Sequence, residues 1–227
     1  SAEQEVTPGV VIGDILQMGQ AQGMRSMASA SPDPALFPAG EFWSCLNDQQ
    51  QQTMMLTGYA PAQGDTGLRI ELASFLAERG LAASAEQIIV TSGVTQGLTL
   101  AAQALAQPGD AVLVEQPTYV GFLHVLRAQG LKPIPVPLDG DGPLPDAVER
   151  LAALHRARFL YTIPSFQNPT GYCIAPERRA RLLDLAAGLG FYLVEDDIYS
   201  LMAYDGAPPL PLKADDRDER VLYINSF

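Results

Sequence analysis

The segment Glu195-Asp196-Asp197-Ile198-Tyr199 sets three carboxylates in a row before a phenol. Such a group suits oxygen ligation of Mg²⁺, or a carboxylate that faces a cationic ring and keeps it protonated. A solvated acidic loop is the third reading of the same residues. Pro164-Ser165-Phe166-Gln167-Asn168-Pro169-Thr170-Gly171 is a stiff turn; it either presents the Asn168 amide from a fixed backbone or is a plain surface turn. Ser92-Gly93-Val94-Thr95-Gln96-Gly97 opens a helical stretch. It would aim free N–H groups and a positive dipole end at a phosphate. It has neither Gly-Lys-Ser/Thr nor Gly-x-Gly-x-x-Gly, and ordinary turn chemistry also explains its glycine. Tyr119, in Gln116-Pro117-Thr118-Tyr119, offers a ring either to a planar ligand or to neighbouring side chains.

These residues need a scaffold, and the hydrophobic period supplies one. Compact β-branched runs alternate with helical spacing along most of the chain. Strands are predicted at Ile88 to Thr91, Ala111 to Glu115, Phe159 to Ile163, Phe191 to Glu195 and Val221 to Asn225. Helices are predicted at 67–79, where Leu68, Leu72, Phe75 and Leu76 form an apolar stripe, and at Thr95 to Ala106, Tyr119 to Gln129, Leu144 to Arg156 and Pro176 to Leu189. Lys132 to Leu138 carries Pro133, Pro135 and Pro137, which suits an edge strand, with the run to Pro145 at the surface. The pattern predicts an α/β fold with a mainly parallel sheet. Ligands of such sheets bind beyond the carboxyl ends of the strands. The four loops would therefore bring a phosphate seat, an aromatic lid, an amide and a carboxylate together, the set a phosphorylated aromatic cation needs.

The first sixty-odd residues read as an arm. Gly9 to Gly23 is a possible helix, Ser29 to Pro38 is small, polar and proline-rich, and residues 49–52 are glutamines. No internal repeat occurs.

Composition limits the partners. The chain has 227 residues, 47% of them hydrophobic and 18% charged, which is the make-up of a globular protein. Its net charge of −12 opposes direct contact between this segment and a nucleic-acid backbone. Cys45 and Cys173 stand far apart with no Cys-x-x-Cys or Cys/His cluster, so neither a disulfide framework nor a structural zinc site is expected and a reducing cytoplasm fits. The most apolar window, Leu185 to Val194, is about half the length that spans a bilayer; no membrane partner is expected. His124, His155, Arg156 and Arg158 are read as surface or packing residues.

Taken in order, Tyr59-Ala60-Pro61-x-x-Gly64, Ser92-Gly93-x-x-Gln96, Asn168-Pro169-Thr170-Gly171 and Asp196-x-x-Tyr199 resemble the fold type I pyridoxal-phosphate enzymes of the class I/II aminotransferase group. The resemblance covers nearly the whole chain. It implies a three-layer transferase-like fold with a mainly parallel mixed sheet, incomplete at the C-terminus, and pyridoxal 5'-phosphate as cofactor. By resemblance, residues 1–58 are an N-terminal arm and part of a small domain, and 59–227 are the cofactor-binding large domain. Asp196 would pair with the pyridinium nitrogen; Asn168 and Tyr199 would bond the phenolic oxygen; Tyr119 would stack on the ring. Gly93, Val94 and Thr95 would hold the phosphate, and Tyr59 would reach the phosphate of a neighbouring subunit in a homodimer. The family's Schiff-base lysine would follow Ser226-Phe227, so neither Lys132 nor Lys213 matches it and no catalytic residue is assigned.

Two further stretches, Ser29-Ala30-Ser31-Pro32-Asp33-Pro34-Ala35-Leu36-Phe37-Pro38 and Pro211-Leu212-Lys213-Ala214-x-x-Arg217-Asp218-x-Arg220-Val221-Leu222-Tyr223, are similar to the aminotransferase-like domain of MocR-type GntR regulators. That resemblance implies a sensor of an amino acid or 2-oxo acid, with DNA bound through a separate winged-helix domain. The alternative is part of a free-standing aminotransferase that moves amino groups to 2-oxo acids.

Overall fold

The computed structural model describes residues 33–48 and 58–226. By internal contacts the chain divides into two units, Ser1–Ala62 and Gln63–Phe227. The Gly9 to Gly23 helix, Ser29 to Pro32 and the glutamines at 49–52 lie outside the described residues.

In the first unit the chain is not wholly extended. Asp33 caps a short 3₁₀ turn, Pro34–Leu36, by accepting from the Ala35 N–H at 2.9 Å. Helix α1 follows, Ala39–Asp48, an element absent from the sequence reading. Phe37, Phe42 and Trp43 meet with ring centroids 5.6 and 5.7 Å apart. All three are exposed, as is Tyr59.

The second unit begins with α2, Thr66–Glu78, whose Asp65 cap accepts from Leu68 N–H at 2.9 Å. Its predicted apolar stripe is not a buried face: Leu68 and Phe75 are exposed and Arg69 is the buried residue. The Arg69 guanidinium donates to Ala85 O at 2.7 Å and Gly64 O at 3.3 Å, which fixes the helix by its polar side. The strand expected at Ile88 to Thr91 does not form. That stretch is extended, but its Val90 N–H goes to Gln63 O, Ile89 is exposed, and no described strand offers it a ladder.

The remaining elements follow the predicted alternation. They are α3 Val94–Leu105, β1 Ala111–Gln116, α4 Val120–Ala128, β2 Lys132–Asp139, β3 Gly142–Pro143, α5 Pro145–His155, β4 Phe159–Thr162, α6 Pro176–Leu189, β5 Tyr192–Asp196 and β6 Val221–Ile224. The sheet order is β3-β2-β1-β4-β5-β6, parallel throughout except for the β2/β3 pair. The proline-rich β2 has an open outer edge except at Leu138 and Asp139, where β3 pairs with it. Gly142 and Pro143 are buried, contrary to the surface run expected there, because Tyr172 and Ile174 pack over Gly142.

Period-two alternation divides the strands between two cores. Val112, Val114, Phe159, Tyr161 and Val194 meet Leu98, Ala101 and Ala102 of α3 and Phe122 and Leu126 of α4 on one face. Leu113, Leu160 and Leu193 meet Val148 and Ala152 of α5 and Leu182, Leu185 and Ala186 of α6 on the other. Helices thus cover both faces of the sheet, the three layers expected. The same alternation continues to the strand ends, where it decides which face each polar residue serves.

Candidate functional site

Four predicted segments leave the sheet at its carboxyl edge or open a helix beside it. Asp196 ends β5 on the same side as Val194 and Tyr161, the α3/α4 face. It is buried, with 2% of its surface exposed. Its Oδ2 accepts the Tyr161 hydroxyl at 2.8 Å, while the buried Oδ1 has no partner. Burial raises the Asp196 carboxyl to about 6, against the opposing hydrogen bond from Tyr161. An acceptor atom left bare in a buried site is costly; a ligand that donates there removes the cost.

The neighbouring acids serve other ends. Asp197 Oδ2 accepts from Arg79, Ser200 Oγ and Tyr223 OH at 3.3, 2.8 and 2.8 Å, while its buried Oδ1, like that of Asp196, has no partner. Glu195 points to the α5/α6 face, where its two oxygens accept the Leu212 and Lys213 N–H groups at 2.7 and 2.9 Å. Burial holds Glu195 up at about 8. The three carboxylates are therefore dealt to three sets of partners, and no group of three His, Cys, Asp or Glu side chains gathers for a metal among the described residues. The Leu212–Asp215 turn that caps Glu195 is the Leu-Lys-Ala stretch of the sequence, and its Lys213 Nζ is held by Asp216 at 2.7 Å.

Asn168 leaves β4 in a turn whose Asn168–Pro169 bond is cis, as is Gln116–Pro117 after β1. The Asn168 Nδ2 donates to Tyr199 OH at 3.0 Å, so the structure brings these two predicted residues together. Both are half-buried. Cys173, on the same loop, is exposed, and its Sγ accepts from Phe166 N–H at 3.4 Å.

Tyr119 caps α4 and packs against the α3/α4-face core. Its ring lies over Gly121: a Cβ there would meet the Tyr119 Cζ at 2.3 Å. Gly93 caps α3 at φ +79° with nothing near its missing Cβ, so the left-handed backbone, not space, requires glycine. Gly93 adds no side-chain cap, and the first-turn N–H groups of α3, including those of Val94 and Thr95, lack intrahelical acceptors by helix geometry. Tyr59 belongs to the first unit.

Sequence reasoning missed Tyr161, Glu115, Gln167 and Arg79. A phenol in the apolar run Phe159-Leu160-Tyr161-Thr162 is a signal in itself, because a buried hydroxyl needs a partner. The other three become visible only through topology.

The family model for aminotransferase class I and II matches residues 16–227. The chain belongs to that family. It is an aminotransferase-like domain, and its relatives are of two kinds. It is 33% identical over 223 residues to aromatic-amino-acid aminotransferase 1 of Thermococcus litoralis, covering 95% of this chain and 54% of the relative. It is 31% identical over 231 residues to the uncharacterized HTH-type transcriptional regulator YdfD of Bacillus subtilis, covering 99% and 48%. The solved kynurenine aminotransferase of Pyrococcus horikoshii, a complex with PMP, superposes with a TM-score of 0.88 at 31% identity, over 96% of this chain and 55% of that one. The chain spans about half the length of the curated relatives it matches.

Proposed function

We propose that this domain binds pyridoxal 5'-phosphate at the carboxyl edge of the sheet. The observation that carries this reading is the buried, unpartnered Oδ1 of Asp196, an orphan it shares with Asp197 Oδ1 but which here has no cation opposite it among the described residues, so that it fits the protonated ring nitrogen as its donor. Asn168 and Tyr199 hold the phenolic oxygen, Tyr119 covers the ring, and Gly93, Val94 and Thr95 bind the phosphate at the start of α3. Tyr59 serves the phosphate of a second copy in a homodimer. When bound, the cofactor supplies an electron sink for a carbanion at the substrate carbon. Asp196 keeps the ring nitrogen protonated, and Asn168 and Tyr199 fix the ring plane. Residues 59–227 form the cofactor-binding large domain, and 1–58 an arm with part of a small domain.

In the whole protein, the reading is the sensor half of a cytoplasmic MocR-type regulator that recognises an amino acid or 2-oxo acid. DNA is left to a separate winged-helix domain, since the net charge of −12 opposes direct contact. The similarity to regulators over 98–99% of this chain supports it. The aminotransferase relatives support the second reading, a catalytic transaminase.

One experiment serves both levels. The full-length protein is titrated with pyridoxal phosphate by visible absorbance, then given amino acids. Binding that Asp196→Ala removes supports the site; no absorbance change with the wild type refutes it. A changed affinity for promoter DNA without release of 2-oxo acid identifies a sensor, and stoichiometric 2-oxo acid identifies a transaminase.

A further inference from the structure

We propose that Gln167 is a positioning residue of this site: its buried amide latches the turn carrying Tyr119 to the turn carrying Asn168. The proposal rests on the cofactor reading above and adds what sets the gap between the two ligand-facing turns.

Gln167 is 1% exposed and uses its whole amide. Nε2 donates to Glu115 Oε2 and to Pro117 O, each at 2.9 Å. Oε1 accepts from Thr170 N and Thr170 Oγ1 at 2.9 and 2.6 Å. Two donors and two lone pairs are all that a primary amide offers. Pro117 lies two residues before Tyr119, and Thr170 two residues after Asn168, so one side chain spans both turns.

The far end of the latch is anchored as firmly. Glu115 sits on the α5/α6 face of β1, beneath the turns, with 1% exposure. Its Oε1 accepts from Thr162 Oγ1 and from Ile163 N–H, which ties the end of β1 to the end of β4. Gln167 bonds neither Asp196 nor Tyr199. Its reach to the cofactor runs through Tyr119 on one side and through Asn168, with its bond to Tyr199, on the other.

An amide that only satisfied its own burial would cost stability when lost and leave the bound cofactor's spectrum alone. A latch predicts more. In the full-length protein, Gln167→Leu binds pyridoxal phosphate at least tenfold more weakly. The pH at which the bound cofactor changes its visible absorbance moves up by half a unit or more, because Asn168 and Tyr199 no longer hold the phenolic oxygen as the anion. Glu115→Leu shares the shift; Glu115→Gln shares part of it, since its single carbonyl oxygen can accept from Gln167 or from Ile163 N–H but not from both. Thr170→Val removes one bond of the four and gives a smaller shift in the same direction, and it decides the matter if Gln167→Leu does not fold. Wild-type affinity and midpoint in the folded variants overturn the latch. Failure of the wild type to bind overturns the cofactor reading instead.

Discussion

The Tyr161 hydroxyl and the Asp196 carboxylate are joined at 2.8 Å from adjacent parallel strands, and the bond engages only Oδ2. Tyr161 is itself fixed, with its ring centroid 4.3 Å from that of Phe122. One oxygen is thus held by Tyr161 while the other, equally buried, is left without a partner.

Tyr161→Phe removes that donor without leaving a polar orphan at position 161. The Asp196 carboxyl then rises further above about 6, and less of it is ionised near neutrality. A hydrogen bond to a charged group contributes about 1.5–3 kcal/mol, so pyridoxal phosphate affinity is expected to fall about tenfold or more, most steeply on the acid side of pH 7. Absorbance titrations from pH 5.5 to 8.5 measure this. An unchanged affinity across that range refutes the role of Tyr161.

Asp196→Ala and Asp197→Ala separate by phenotype. The first abolishes cofactor binding and leaves the fold. The second takes the counter-charge from the Arg79 guanidinium, whose side chain is only 11% exposed and which keeps only the neutral acceptors Ser200 Oγ and Tyr223 OH, and it takes the acceptor from both of those hydroxyls. Breaking a buried pair from one side costs on the order of 3 kcal/mol. Thermal melts and binding on the same samples distinguish them; loss of binding in both with no loss of stability in the second would count against this division.

Gly121→Ala trades one property for the other. Alanine favours a helix over glycine by about 1 kcal/mol, yet the new Cβ occupies the seat of the Tyr119 ring. The displaced Tyr119 packing offsets that gain, and the expected variant folds and binds pyridoxal phosphate several-fold more weakly. Equal affinity would show that Tyr119 does not cover the ring.

Stability depends on pH through the buried acids. Burial raises Glu115 to about 7, Glu195 to about 8 and Asp196 to about 6, from ordinary values of 4.5, 4.5 and 3.8. Between those limits the native chain holds more protons than the unfolded one, so stability falls as pH rises. The cofactor-free protein is expected to melt progressively lower from about pH 5 to pH 8, and Glu195→Gln to flatten the upper part of that slope. A melting temperature that climbs over the interval contradicts the assignment.

Much of this was legible in the sequence, for reasons that particular residues make clear. β1, β4 and β5 are covered on both faces, and strands so placed read as unbroken apolar runs. α6 starts at Pro176 and stops at Gly190, the usual punctuation of a helix. Ile88 to Thr91 carries the same signal as β4 and is misread, because a strand is made by a partner and its own residues cannot report one. The apolar stripe of α2 misleads likewise: spacing identifies the helix, but Arg69 is what it buries. Asp196 and Asn168 announced themselves by motif. Gln167 and Glu115 did not, since an amide beside an asparagine looks like loop polarity until topology buries it against a strand end.

The exposed thiol of Cys173, with Phe166 N–H as its backbone neighbour on the Asn168 loop, turns that loop into its own reporter. With the other exposed thiol among the described residues, Cys45, changed to serine, the rate of labelling by a thiol reagent follows the surroundings of Cys173 in this one segment. Ligands that seat Asn168 slow the reaction and the Gln167→Leu variant speeds it, so the protein can be surveyed for amino acids it recognises with no knowledge of what it does to them.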